Sequence, residues 1–223
     1  MEKDIIILRH GATPGNERGA FIGCGTDESL SEKGRKLAQE FAFPGDFDTE
    51  NMKCFAGPLK RTVETLEVIK SGANDSTTGT NNATSAANAN GCYCDAVIID
   101  ELREIDFGKL EGKSHKELDG DPDYQAWIDR GGEGLIPGGE SKEAFIERSG
   151  LGFEEVLENM GDCPNALVVC HGGSIMAIMS SLCDGDYYDY RCGNLKGYRI
   201  KLDYTDGKIS VITYNCISAW GDA

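Results

Sequence analysis

The 223-residue chain is short of positive charge: 22 lysines and arginines stand against 38 acids, a formal net charge of −16. Nucleic acid needs the opposite balance on the surface that binds its phosphates, and so does attraction to anionic lipid headgroups. Neither nucleic acid nor a membrane is therefore an expected partner. Long hydrophobic runs are missing as well. Residues 5–8 are far too few for a signal-peptide core, and no stretch approaches a membrane span, so the expected location is cytoplasmic. Histidine is scarce too, with three in the chain. Cysteine is not scarce, but nine is an odd number, and without an export signal it reads as reduced thiols and not as a disulfide framework. Cys92 and Cys94, the tight pair, have no second pair and no nearby histidine, so no zinc site is expected. Cys54 and Cys170 lie in apolar runs and read as small core residues.

What the chain does have is an alternation of strand and helix patterns. Residues 5–8, apolar and mostly β-branched, predict a buried strand. It ends on Arg9, His10 and Gly11, at the carboxyl edge where open α/β sheets bind ligands. A glycine-rich loop follows to Leu30, in which Gly19, Gly23 and Gly25 permit turns or close approach to a ligand. Ser31 fits an N-cap for a helix to about residue 41. Residues 52–56 predict a second strand. Gly57 and Pro58 then lead into a helix over about 59–70 with Arg61 in its first turn, a good corner for an anion.

Residues 71–95, rich in Asn, Thr, Ser, Ala and Gly, read as a low-complexity surface insertion in one domain spanning 1–223. Residues 96–99 resume as a buried strand that delivers Arg103, Glu104 and Asp106. A polar helical excursion at about 113–153 is broken near Gly131-Gly132 and Pro137-Gly138-Gly139. Within it Trp127 and Ile128 either cover a cleft or staple the helices together. Residues 166–170 predict a strand ending on His171-Gly172-Gly173, with an apolar helix over 175–182 behind it. Residues 195–202 and 208–214 flank Thr205-Asp206-Gly207 as a β-hairpin. Together these predict a three-layer α/β/α sandwich with a mostly parallel central sheet.

Two of the three histidines lie in strand-end His-Gly pairs, two arginines at comparable edges, and one carboxylate candidate, Glu104, at a third. The pieces are Leu8-Arg9-His10-Gly11-Ala12-Thr13 with Asn16, Pro58-Leu59-Lys60-Arg61-Thr62 with Glu64 and Thr65, Leu102-Arg103-Glu104-Ile105-Asp106-Phe107-Gly108 with Glu111 and Gly112, and His171-Gly172-Gly173. In this order, over nearly the whole chain, they resemble the histidine phosphatase superfamily, also called the phosphoglycerate-mutase-like family. One departure is Gly57, where many members have serine before the proline; another is the 71–95 insertion.

The resemblance implies a phosphoglycerate-mutase-like fold and a phosphoric monoester hydrolase. His10 is then the nucleophile that forms a phosphohistidine. Glu104 is the acid that protonates the leaving oxygen and later activates water, with its pKa raised by burial and by the phosphate beside it. Arg9, Arg61 and His171 complete the catalytic set by neutralising the phosphoryl oxygens. Arg9, Asn16, Gly23, Arg61, His171 and Gly172 are the implied substrate-binding residues. No metal and no cofactor are implied.

The region before His171 lacks the basic, proline-rich excursion usual in cofactor-dependent mutases. The motif at 102–108 and Pro137-Gly138-Gly139-Glu140-Ser141 look like the alpha-ribazole phosphatase and general sugar-phosphatase branch. The expected substrate is a small-molecule phosphate ester, with alpha-ribazole 5′-phosphate as the leading specific candidate. The alternatives are a phosphoglycerate mutase and a non-catalytic phospho-ligand binding relative. Arg103, Trp127 and Arg130 are candidate substrate contacts, and the chain is expected to be a monomer or a homodimer.

Overall fold

A strand covered on both faces needs apolar residues at every position. Ile5, Ile6, Ile7 and Leu8 meet that need, all fully buried in β1 (Glu2–Arg9). In the computed structural model, which describes residues 1–75 and 96–217, β1 is followed by α1 (Pro14–Glu17), α2 (Glu32–Gln39), β2 (Met52–Ala56), α3 (Lys60–Asp75), β3 (Val97–Ile98), α4 (Pro122–Asp129), α5 (Lys142–Met160), β4 (Asn165–Cys170), α6 (Gly172–Leu182), β5 (Gly197–Thr205) and β6 (Lys208–Ile217). Among the described residues the strands form one sheet in the order β3-β2-β4-β1-β5-β6. The first four pair in parallel, and the antiparallel hairpin β5–β6 is laid beside β1. Arg9 is paired with Cys170 and Ala56 with Val169, so β1, β4 and β2 end side by side.

Alternation along the strands makes the three layers. Ile5, Ile7, Phe55, Val168 and Cys170 pack with Phe153, Val156, Leu157 and Met160 of α5 and with Ile175, Ile178 and Met179 of α6. Ile6, Leu8, Cys54, Ala56, Leu167 and Val169 pack with Ala38 of α2 and Leu66, Val68 and Ile69 of α3. A separate cluster of Ile105, Leu110, Leu118, Tyr124, Trp127, Ile136 and Phe145 closes the excursion over the sheet's carboxyl edge. The expected three-layer, mostly parallel α/β architecture is therefore present.

Several element limits differ from expectation. α3 continues through Asp75, into residues read from the sequence as insertion. Ser71 and Gly72 weaken a helix but do not stop one already anchored by Leu66 and Ile69; residues 76–95 lie outside the described residues. The buried strand expected at 96–99 is only Val97–Ile98, an edge strand paired with β2, and Ile98 is exposed. The excursion begins in turns over 113–121. α5 runs past residue 153 to Met160 because Val156, Leu157 and Met160 continue the helical spacing that faces the sheet. No helix among the described residues is long and apolar enough to cross a membrane.

Candidate active site

The carboxyl ends of parallel neighbours gather their following loops on one side of the sheet. At the end of β1, His10 is 2% exposed and its backbone N–H donates to Cys170 O at 3.0 Å. Its Nδ1 lies 2.7 Å from Gly11 O. A carbonyl can only accept, so Nδ1 carries the proton and Nε2 keeps its lone pair. At the end of β4, His171 is fully buried, its ring centroid 5.2 Å from that of His10 and the planes inclined by 63°. Neither ring nitrogen of His171 has a hydrogen-bond partner.

Two arginines close the corner. Arg61, fully buried in the first turn of α3, donates Nη1 to Thr26 O (2.7 Å) and Nη2 to Gly23 O (3.0 Å) and leaves Nε unpaired. Arg9 donates Nη1 to Cys192 O (2.8 Å) and also leaves Nε unpaired. A buried polar group without a partner costs about 1–3 kcal/mol, which makes such a cluster of orphans uncommon outside functional sites. Here Arg9 Nε, Arg61 Nε and both nitrogens of His171 share that condition beside the free Nε2 of His10. A tetrahedral oxyanion is a ligand that satisfies the donors among them.

Glu104 stands at the corner's edge, 8% exposed. Its Oε1 accepts from the Ile105 N–H (3.0 Å) and its Oε2 from the Gly173 N–H (3.1 Å). That approach requires glycine at 173, because a Cβ there would run into the carboxylate. Burial raises the Glu104 pKa, although the two amides and Arg61 and Arg9 pull it the other way. Burial also holds both histidines well below the usual imidazole range, with Arg61 and Arg9 adding to the effect. The corner therefore holds two neutral imidazoles, and its carboxyl group keeps a proton to higher pH than a free one.

The other expected contacts divide. Asn16 accepts the Thr13 N–H (3.2 Å) and the Asn194 side-chain amide (3.3 Å) on its Oδ1, which leaves its own amide N–H groups as the donor end. Gly172 opens α6, and a Cβ on it would lie 3.3 Å from the Arg9 guanidinium carbon. Gly23 does not offer the substrate a free amide: its N–H donates to Glu111 Oε2 (3.1 Å) and its carbonyl accepts from Arg61. Its glycine character serves loop packing instead, since a Cβ would strike Ile105 O and Glu111. Gly57 faces His171, and a Cβ there would lie 3.3 Å from Nε2. Of the three candidate substrate contacts, Trp127 lines a cavity beside Glu104 and Gly173, whereas neither Arg103 nor Arg130 does.

Sequence reasoning missed the residues that hold these groups in place. Asn194 donates to His10 O at 2.9 Å, and Leu195 N–H donates to Arg9 O at 3.0 Å, so the turn before β5 fastens the end of β1. The Gly193-Asn194 pair just ahead of a strand was the available signal. Glu111 gathers the N–H groups of Gly23 and Gly25 and the Thr26 hydroxyl. Arg148 holds Glu140 through two hydrogen bonds (2.9 and 2.7 Å) and donates to the carbonyls of Glu101 and Arg103, in the turn that leads into Glu104.

Comparison with known proteins agrees with this geometry. The profile of the histidine phosphatase superfamily (branch 1) matches residues 5–82 and 80–217. A 2,3-bisphosphoglycerate-dependent phosphoglycerate mutase of Cytophaga hutchinsonii is 28% identical over 185 residues, covering 80% of this chain and 76% of that protein. The alpha-ribazole phosphatase of Shigella flexneri superposes with a TM-score of 0.70 at 22% identity, over 93% of this chain and 94% of that one. The phosphoserine phosphatase of Entamoeba histolytica, solved with 3-phosphoglyceric acid, gives 0.68 at 23% identity over 97% and 98%. At these identities the two superpositions speak for the fold alone.

Proposed function

The chain belongs to the histidine phosphatase superfamily, and on that premise we propose that it is a phosphomonoesterase working through a phosphohistidine at His10 without a metal. The observation that carries this reading is the set of unpaired buried nitrogens on Arg9, Arg61 and His171 beside the lone pair of His10 Nε2. Phosphoryl transfer is chiefly positioning and charge stabilisation, and these donors supply both.

In the first step His10 Nε2 forms a bond to phosphorus as the ester P–O bond breaks. The electron pair leaves on the alcohol oxygen, which takes the proton of the Glu104 carboxyl group. A water then attacks the phosphoryl group and gives its proton to the Glu104 carboxylate. The P–N pair returns to His10, and inorganic phosphate departs. Each turn restores the starting protonation. Oxygens of the transferring group face Arg9, Arg61 and His171 throughout.

Alpha-ribazole 5′-phosphate is the specific substrate we favour, on the pattern of residues 102–108 and 137–141. The second reading, a phosphoglycerate mutase, is favoured by the name of the 28% identical relative. Phosphate release from a panel of esters separates them, with 2,3-bisphosphoglycerate and 3-phosphoglycerate included. The phosphatase reading expects net phosphate from simple esters, loss of all release in His10→Ala, inhibition by orthovanadate and full activity in EDTA. Interconversion of phosphoglycerates faster than any release of phosphate would give the mutase.

A further inference from the structure

The turn before β5 reaches three parts of the phosphate corner at once. Cys192 O accepts from Arg9 Nη1 (2.8 Å), and the Leu195 N–H donates to Arg9 O (3.0 Å). Between them Asn194 donates Nδ2 to His10 O (2.9 Å) and to Asn16 Oδ1 (3.3 Å). That aim strains the backbone. Leu195 has a φ of 55°, in the left-handed region that a residue with a Cβ disfavours. It is held there because its side chain is buried in one cluster with Ile6 and Leu8 of β1.

Backbone partners fix the polarity of both amides. His10 O can only accept, so Asn194 turns its nitrogen toward it, and the second hydrogen of that nitrogen goes to Asn16. The Thr13 N–H can only donate, so the Asn16 atom that it meets at 3.2 Å is the oxygen. Asn16 Oδ1 thus accepts twice, and the planar amide directs its NH2 the other way. Among the described residues that NH2 has no protein acceptor. Reversing the amide would set its NH2 against two donors at once. Without Asn194 the Thr13 N–H alone would oppose the reversal.

From these observations we infer that Asn194 is a positioning residue that acts through Asn16, locking that amide with its N–H groups toward the phosphoryl group. The inference rests on the phosphatase reading above. The same nitrogen holds the nucleophile's backbone. The His10 N–H is engaged by Cys170 O and Nδ1 by Gly11 O, so the bond from Asn194 leaves Nε2 as the one polar atom of His10 without a protein partner. A single side chain 184 residues along the chain therefore sets two groups of the corner together.

The test is a double-mutant cycle read by calorimetric titration with inorganic phosphate, in which the stoichiometry gives the folded share and Kd describes the folded molecules. Asn16→Ala should weaken phosphate binding by about ten- to a hundredfold, the worth of a hydrogen bond to a charged group. Asn194→Ala should weaken it about tenfold, yet added to Asn16→Ala it should change Kd by less than about twofold. A residue that served the fold alone would lower Tm and leave Kd where it was. Asn194→Asp, of the same shape, answers if the alanine variant does not fold. It offers acceptors only, so Asn16 turns its NH2 inward and its oxygen toward the phosphate. The added charge acts in both backgrounds, so a loss about tenfold larger in the parent than in the Asn16→Ala background supports the inference. An unchanged Kd in Asn194→Ala, or equal losses in the two backgrounds, would overturn it, as would wild-type protein that binds no phosphate. Phosphate release from esters is scored separately: its absence throughout would sink the phosphatase reading, while the dissociation constants still decide Asn194.

Discussion

Glu104 and Gly173 show how little room the chemistry leaves at the level of single residues. Gly173→Ala should push the carboxylate off its amide donor, and Glu104→Gln removes the proton it delivers. Both should slow phosphorylation of His10 by alkyl phosphates by about a hundredfold or more while barely slowing it with nitrophenyl phosphate, whose leaving oxygen needs no acid; single-turnover release of the alcohol from the two ester types checks this. Equal losses on both would mean that Glu104 acts on something other than the leaving oxygen.

The same residue links activity to stability. Its folded pKa is raised, so the native state binds more protons than the unfolded chain between about pH 4.3 and the folded value. Stability therefore falls as pH climbs through that window and stays reduced above it. Glu104→Gln should raise Tm more at about pH 8 than at about pH 4. A Tm difference that is the same at both values would contradict the raised pKa. His10, Glu104, His171, Arg9 and Arg61 were legible in the sequence because each follows a strand or opens a helix, where the chain itself exposes a side chain at the sheet edge. A glycine in a loop such as Gly23 does not say whether it makes room for a ligand or for its own protein, and here Ile105 and Glu111 stand where its side chain would be.

At the level of elements, the central strands were readable and the rims were not. β1, β2 and β4 are covered on both faces, so their apolar runs had one reading. β3 has one neighbouring strand, and a run of similar residues at 96–99 could not tell an edge from a centre. Tethers such as Asn194 to His10 or Arg148 to Glu140 were invisible because they join segments far apart in sequence through side-chain hydrogen bonds, with no periodic pattern. The Arg148–Glu140 pair is mostly covered, at 12% and 17% exposure. Arg148→Met takes the charged partner from that carboxylate and a donor from the carbonyls of Glu101 and Arg103, so it should cost about 3 kcal/mol in urea unfolding and lower kcat on alkyl esters more than on nitrophenyl phosphate. A stable variant with unchanged rates would show that the acid-bearing turn needs no such brace.

The molecule as a whole repels what it binds. With a formal charge of −16, its long-range field opposes the approach of a phosphate dianion, while Arg9 and Arg61 attract it only at short distance. Raising ionic strength from about 0.01 to 0.15 M screens the first effect more than the second, so kcat/KM should increase with potassium chloride over that range. A steep fall would reveal a steering field instead.

The seam between β1 and β5 has a consequence for biosynthesis. β1 is made before the other five strands yet lies in the middle of the sheet, between β4 and β5, where its end is locked by Asn194 and Leu195. A nascent chain that has already passed Glu104 and even His171 still lacks the clamp on His10. Such distant pairings slow folding, and they leave the corner incomplete until residues 194 and 195 have been made.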